Sequence, residues 1–401
     1  MSADALTTEP RPATPRAHEL RALASPETPR PSTPIGIAFA VGDYLLFGAG
    51  AAAAIVAPWW IVKGLGVVVA GIAVAMLFAL AHDAAHGSLA KSRLGNRILA
   101  TLCFLPSWYP YTPWIRGHNH LHHGWTNVAE CDYSWRPVSP AAYLAMPRWR
   151  RAVEHFYRSW WGLWLHSIVE IWWKHMARPR DEDRRYLNVR HLDADRLLVM
   201  SVLGAAVATC WLLGPRWSTL AGGPALPGPV IVAMVIVGPW WIFHVMFSVV
   251  TFLHHTHPGV PWYRTKQESS YFAGQVQATV HVQLPTWIEL LLHNITVHSA
   301  HHVDPRVPFR NLPNAQRRLQ SAFCDDVIVE RWSLGSFIAV CRACKLYDYD
   351  MHEWRTFAGM TAARTVTTRP VLHPLAERVQ QPERLATLSG DQQSLQRVGL
   401  D

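Results

Sequence analysis

The sequence predicts an all-α membrane protein: four transmembrane helices in two hairpins, with a helical cytosolic cap that carries clustered histidines. Three observations predict it. Four long stretches are nearly free of charge, in a chain that is 50% hydrophobic and 16% charged. Basic residues crowd the connections on one side of those stretches. Histidines gather where the stretches meet polar loops. A soluble chain of this length usually carries more charge, and the 20 tryptophans suit an interface where an amphipathic ring sits at headgroup level.

The elements follow in order. Residues 1–34 hold seven prolines among Thr, Ser, Glu and Arg; such a segment buries no core and is expected to be disordered. It is polar, unlike a secretory signal. Residues 35–56 and 64–81 are apolar and long enough, or nearly so, to cross about 30 Å of hydrocarbon at 1.5 Å per residue. Only 57–63 separates them, a tight hairpin in which Lys63 is expected to snorkel to the interface. Asp43 falls inside the first stretch, eight residues from Ile35. A charge there is costly, and an interfacial hydrogen bond is a plainer reading than a catalytic role. A second hairpin pairs 197–213 with 230–253. Its connection carries one basic residue, Arg216, whereas 91–196 carries many, among them Arg116, Arg136, Arg150 and Arg185. That asymmetry places both hairpin tips outside the cytosol, and both termini and the long middle segment inside. Within that segment 156–176 mixes Trp160, Trp161, Trp164, Trp172 and Trp173 with Arg158, Glu170 and Lys174 at roughly helical spacing, the pattern of an interfacial amphipathic helix. The resulting division is a tail (1–34), a membrane domain (35–365) and a polar, mobile C-terminal tail (366–401).

Composition also excludes. The net charge of +9 lies in loops beside apolar segments, not in a stripe with a nucleic-acid reader motif, so no nucleic acid is expected as a partner. The six cysteines form no disulfide framework, and Cys341 and Cys344 are a lone C-x-x-C, read as reduced thiols.

Chemistry concentrates in the histidines. His82 and His86 are four apart, on one helical face at the end of the second stretch, where Gly87 can close the helix. Asp83 beside them can accept from a ligand imidazole. Four histidines fall within 118–123, too dense for packing; His118 and His122 share a face, His123 is one step round, and His120 points away. Glu130 and Asp132 follow and can orient ligands or be solvated. His298, His301 and His302 lie on one side of a helix, with His293 a weaker candidate. The fourth stretch ends in His254, His255 and His257, of which one should face the site. The segment His257-Pro258-Gly259 shares three residues with a haem motif of cytochrome b5, but Val260 follows and no such domain surrounds it. Imidazole is the commonest side-chain metal ligand. Eight or nine are too many for one ion, so the count points to a two-metal site at a membrane surface.

The motifs H-D-A-A-H-G-S, H-N-H-L-H-H-G-W-T-N, F-L-H-H-T-H-P-G-V-P-W-Y and H-S-A-H-H-V-D-P-R-V-P-F-R-N-L are similar to those of the membrane fatty acid desaturases. The resemblance runs from about His82 to Asn314, and the last two motifs are most like the Δ12/ω3 (omega-6/omega-3) branch. It implies two iron ions held by His82, His86, His118, His122, His123, His298, His301 and His302, with a further family histidine falling on His255. The first motif has Ala84-Ala85 where the branch often has Cys-Gly, and the last has Phe309-Arg310 where His-Tyr is common; both bear on substrate and regiochemistry. The implied reaction removes two hydrogens from neighbouring acyl carbons and reduces O₂ to water. The acyl chain, linked to a lipid, coenzyme A or a carrier protein, would lie in an apolar tunnel that Trp108, Trp114 and Trp135 are candidates to line. No fused cytochrome, ferredoxin or nucleotide motif is visible, so a separate electron-transfer protein such as a ferredoxin is expected at the basic cytosolic face.

The same histidine pattern serves hydroxylases, acetylenases, epoxidases and carotenoid ketolases or hydroxylases, which product analysis separates. A non-catalytic metal or haem protein is the other class. A transporter places its ligands near the bilayer midplane, whereas these histidines lie at helix ends.

Overall fold

A computed structural model describes residues 15–26, 30–179 and 189–361. Within them four helices are long and apolar enough to cross a membrane: Thr33–Val56, Trp60–Ala85, Val189–Trp217 and Gly228–His255. Their 24 to 29 residues make rods of about 36–44 Å, longer than a hydrocarbon layer of about 30 Å. Each runs past the apolar stretch seen in the sequence. Hydropathy marks the dry part of a helix, while the backbone ladder continues into polar ends such as His82-Asp83.

Small residues set the packing of the first hairpin. Gly50 and Ala54, one turn apart, face Gly66 and Ala70. A Cβ on Gly66 would stand 2.6 Å from the Gly50 carbonyl oxygen, and one on Gly50 would stand 2.7 Å from the Ala70 nitrogen. Backbones therefore touch directly, as small-xxx-small spacing allows where lipid supplies no hydrophobic drive between helices. The second and fourth helices also meet at a glycine, but there Gly71 receives the Ile242 side chain. The hairpin tips gather at one end, where Ala54 and Ile55 share a buried cluster with Cys210, Leu226 and Ile231. The second and fourth helices start at that end and finish at the other, at His82 and His255.

Four expectations need correction. Lys63 does not snorkel: it is fully buried, and its ammonium donates to the Ile55 carbonyl at 2.5 Å. The carbonyls at the end of the first helix lack helical partners, and the amine fills that deficit. Within the N-terminal segment, Ala17–Ala24 is helical and buries Leu20 and Ala24 against Val303, Leu312 and Leu319. The spacing of those two apolar residues, one turn apart, is enough to dock this helix of about two turns; residues 1–14 and 27–29 lie outside the described residues, as does the tail 366–401. The stretch 156–176 is not one helix. Arg148–Tyr157 ends, the chain turns, and Leu163–His166 continues into wider-wound Ser167–Ala177. Gly162 permits the turn, since a Cβ there would stand 2.0 Å from the Phe156 carbonyl oxygen. Arg158, expected on the outer face, turns inward and donates to the carbonyls of Trp135 and Arg136, both at 3.0 Å.

Among the described residues two small sheets accompany the helices: Val280–Gln283 pairs in parallel with Ile328–Arg331, and Leu346–Asp348 antiparallel with Glu353–Arg355. All six cysteines are free, with Cys341 and Cys344 buried.

Candidate metal centre

Each histidine cluster owes its placement to a different backbone device. His82 sits on the last turn of Trp60–Ala85, His86 caps that helix, and Gly87 at φ +79° stops it beyond them. The second cluster lies on Ile115–His122, wound with i→i+5 hydrogen bonds; the His123 amide donates to the His118 carbonyl at 2.9 Å. Such π-type turns are rare and recur at functional sites. The third lies on the short helix His298–Val303. It is launched by His293 and Asn294, two consecutive residues at φ +53° and +55°.

The structure brings all nine sequence-identified histidines together, in two groups. His82, His86, His118, His123 and His301 form one; His122, His255, His298 and His302 form the other. Within each group, one nitrogen per ring lies within 4.8 Å of the others. The winding decides the split. An α-helix would align His118 with His122, as the sequence spacing implied; the i→i+5 turn instead sets His118 beside His123 and sends His122 to the second group. In the third cluster His298 and His302, one α-turn apart, face one group while His301 between them faces the other.

The donor chemistry fits a pair of cations. Nε2 of His298 lies 2.7 Å from Nε2 of His255, and Nε2 of His123 lies 3.2 Å from that of His118 and 3.3 Å from that of His301. Lone pairs so close repel unless a proton or a metal ion stands among them. Burial first, and neighbouring imidazoles second, hold His118, His123, His298, His301 and His302 well below the ordinary histidine value, so these rings are neutral. Neutral imidazole is the ligand form. Nδ1 of His123, His298 and His301 is buried without a partner.

Outer contacts orient the rings. Asp132 accepts from Nδ1 of His122 at 2.8 Å, and Asp83 lies 3.3 Å from Nδ1 of His82. Gln275 Oε1 is 3.0 Å from Nδ1 of His302, and the Ala278 carbonyl is 3.3 Å from Nδ1 of His255. Each such bond fixes the tautomer that leaves Nε2 free to ligate. Of the acids singled out in the sequence, Asp83 and Asp132 thus touch the cluster, while Glu130 accepts from the Lys266 amide at 3.1 Å. His293 joins neither group. It pairs with Asp43 at 2.8 Å, tying the first membrane helix to the loop before the third cluster. His120 is exposed, and His257 lies 3.8 Å from Glu330.

An apolar cavity opens onto both groups. Phe78, Phe243, Met246, Phe247 and Val250 line it, with His82, His118, His122, His255 and His298 at its polar side. Of the three tryptophans considered, only Trp114 borders it, stacked on His118 at 4.4 Å. Trp108 instead stacks on Trp240 at 4.4 Å, and Trp135 is buried with its indole N–H on Thr251. Both have φ near +60°. Sequence reasoning missed Gln275 and named His254 only as one of three alternatives, choosing His255. His254 also lines the cavity and stacks on His298 at 3.8 Å. Nothing in the sequence marks Gln275, 27 residues before His302.

A family model described as "Fatty acid desaturase" matches residues 58–334. The chain is 30% identical over 307 residues to the chloroplastic omega-6 fatty acid desaturase of Brassica napus, covering 73% of this chain and 61% of that protein. The Arabidopsis thaliana protein of the same name is 30% identical over 291 residues, covering 73% and 60%. The sn-1 oleoyl-lipid 12-desaturase of Picosynechococcus sp. is 28% identical over 327 residues, covering 81% and 85%. The chain spans about three fifths of the length of the plant relatives it matches.

Proposed function

Because the chain belongs to the fatty acid desaturase family, we propose that it inserts a double bond into a fatty acyl chain at a histidine-held pair of irons. The observation that carries this reading is the convergence of nine imidazoles, in two groups, on an apolar cavity. His82, His86, His118, His123 and His301 would hold one ion, and His122, His255, His298 and His302 the other. The bound pair would supply the reduction of O₂ that makes abstraction of an unactivated methylene hydrogen possible. In balance, –CH₂–CH₂– + O₂ + 2e⁻ + 2H⁺ gives –CH=CH– + 2H₂O. The electrons come from a separate carrier protein.

The chain's own residues bind, orient and keep dry. Phe78, Phe243, Met246, Phe247 and Val250 give the acyl methylenes an apolar wall and exclude water that would divert the oxidant. The wall is stiff: the Phe78 ring meets those of Phe104, Tyr109, Trp114, Phe243 and Phe247 at centroid distances of 4.9–5.3 Å. Asp132 and Asp83 keep a proton on Nδ1 of His122 and His82, so that Nε2 stays a donor. The four apolar helices would cross the bilayer with the hairpin tips outside and the histidines on the cytosolic face, where the basic middle segment lies.

The test is fatty-acid profiling, by mass spectrometry, of a host expressing the chain beside its His122→Ala variant. A new double bond that the variant abolishes is the expected result. No new unsaturation in any lipid class from folded, iron-loaded protein would refute desaturation, and a hydroxylated product would replace it.

A further inference from the structure

A second, polar basin lies on the other side of the wall that carries the second histidine cluster. Its lining includes six cations, Arg116, Arg136, Arg150, Arg158, Arg264 and Lys266, against three carboxylates, Glu130, Glu154 and Glu170. Glu154 and Glu170 both pair with Arg150, Glu170 also with Lys174, and Arg264 pairs with Asp350, which leaves Arg116, Arg136, Arg158 and Lys266 against Glu130. The basin therefore keeps an excess of positive charge. It also keeps unused donors. Arg158 is 1% exposed, and its Nε and Nη1 have no partner; Nδ1 of His166, also buried in the lining, has none. A buried guanidinium with two open N–H groups carries a large penalty unless an acceptor meets it. Arginine's planar fork matches phosphate oxygens.

The basin and the acyl cavity share Tyr133. Neighbouring residues on the same wall face opposite ways, with Arg116 to the basin and His118 to the cavity, and with Glu170 to the basin and Ile171 to the cavity. Tyr133 is held in that wall by its stack on His175, at 3.7 Å, and by Gly117, whose missing side chain makes room for the hydroxyl. A substrate whose tail lies at the histidines needs a polar place for its head within one chain length. We propose that this basin binds the phosphate of the acyl donor's head group, with Tyr133 at the threshold between head and tail. The inference rests on the reading above that the apolar cavity takes the acyl chain.

The experiment uses the full chain, iron-loaded in detergent, with a reduced ferredoxin as electron source. One acyl chain is offered on three heads: coenzyme A, phosphatidylglycerol and an uncharged galactolipid. The expected result is a KM about tenfold lower for one or both phosphate-bearing substrates, the effect of about one charge-assisted hydrogen bond; which of the two saturates tells a soluble carrier from a membrane lipid. Arg158→Gln should raise that KM about tenfold with little change in kcat. Because Arg158 also holds two backbone carbonyls, the exposed pair Arg136→Gln/Lys266→Gln is tested beside it and should act in the same direction. Equal KM values for all three heads would overturn the proposal. So would variants that weaken use of the reduced ferredoxin instead, which would make the basin the carrier's dock. If no acyl substrate turns over, the desaturase reading fails, and pyrophosphate binding by equilibrium dialysis decides on the basin alone: binding lost in Arg158→Gln supports it, and no binding to the unmodified chain rejects it.

Discussion

Asp132→Asn separates the orientation of a ligand from the ligand itself. The carboxylate accepts three hydrogen bonds, from Nδ1 of His122 at 2.8 Å, the Asn127 amide at 3.0 Å and the Ser134 amide at 2.9 Å. Burial, the largest single influence, pushes this carboxyl up, but His122, His255 and the Ser134 amide together hold it below the ordinary carboxylate range. A depressed folded value means a contribution present above the unfolded value of about 3.9, and lost only as pH falls through the folded one. The charge is therefore in place throughout the neutral range. Alanine would strand three buried donors at about 1–3 kcal/mol each, a sum comparable with a protein's whole stability of about 5–15 kcal/mol. Asparagine keeps one acceptor and strands fewer, so the fold should survive with a loss of about 1–3 kcal/mol. Its amide cannot accept on both sides: with the oxygen kept on His122 and Asn127 the Ser134 amide is stranded, and His122 keeps a neutral acceptor in place of the carboxylate that fixes its tautomer. Removing such a partner typically weakens metal binding about 10–100-fold, or about 1.4–2.7 kcal/mol. The assay is iron retention against a chelator series, with thermal melting in detergent as the folding control. Unchanged retention in a folded Asp132→Asn protein would refute the orienting role.

Three further outcomes follow from other parts of the molecule. Gly66→Val forces side-chain carbons into the Gly50 carbonyl and should lower stability by about 1–3 kcal/mol, read as a lower melting temperature in detergent. Gly117→Ala places a methyl against the Tyr133 hydroxyl, 2.0 Å from where the new carbon would sit; Tyr133 must move, and product yield should fall severalfold at unchanged iron content. Burial, and then Arg158, Arg150 and Lys174, hold His166 well below its ordinary value. A histidine kept neutral in the fold is protonated first in the unfolded chain, so stability should drop as pH falls below about 6.5, by up to about 1.4 kcal/mol per pH unit. His166→Phe, which keeps the stack on Trp135, should shrink the difference in melting temperature between pH 7 and pH 5.5.

The long-range plan was readable because a bilayer-sized helix needs little beyond twenty apolar residues, and 35–56, 64–81, 197–213 and 230–253 supply them. The histidines were readable because imidazoles at such density have few other uses. Local backbone winding was not. Nothing in Ile115–His122 announces an i→i+5 turn, so the spacing of His118, His122 and His123 was read with α-helical geometry and paired the wrong two rings. Burial of charge was equally hidden. Lys63 and Arg158 look like surface cations until tertiary carbonyls supply their acceptors. The link from Asp43 to His293 joins residues 250 apart in the chain, and Gln275 reaches His302 from a loop with no motif of its own. Contacts of that kind are set by packing, and periodicity does not register them.

The most direct measurement is the metal content of the purified chain after anaerobic loading with ferrous iron. Two iron atoms per chain, falling to one or fewer in His122→Ala/His302→Ala, with an all-nitrogen-and-oxygen coordination shell by X-ray absorption, is the expected result. A single iron per chain, or preferential retention of zinc with no iron-dependent product, would contradict it.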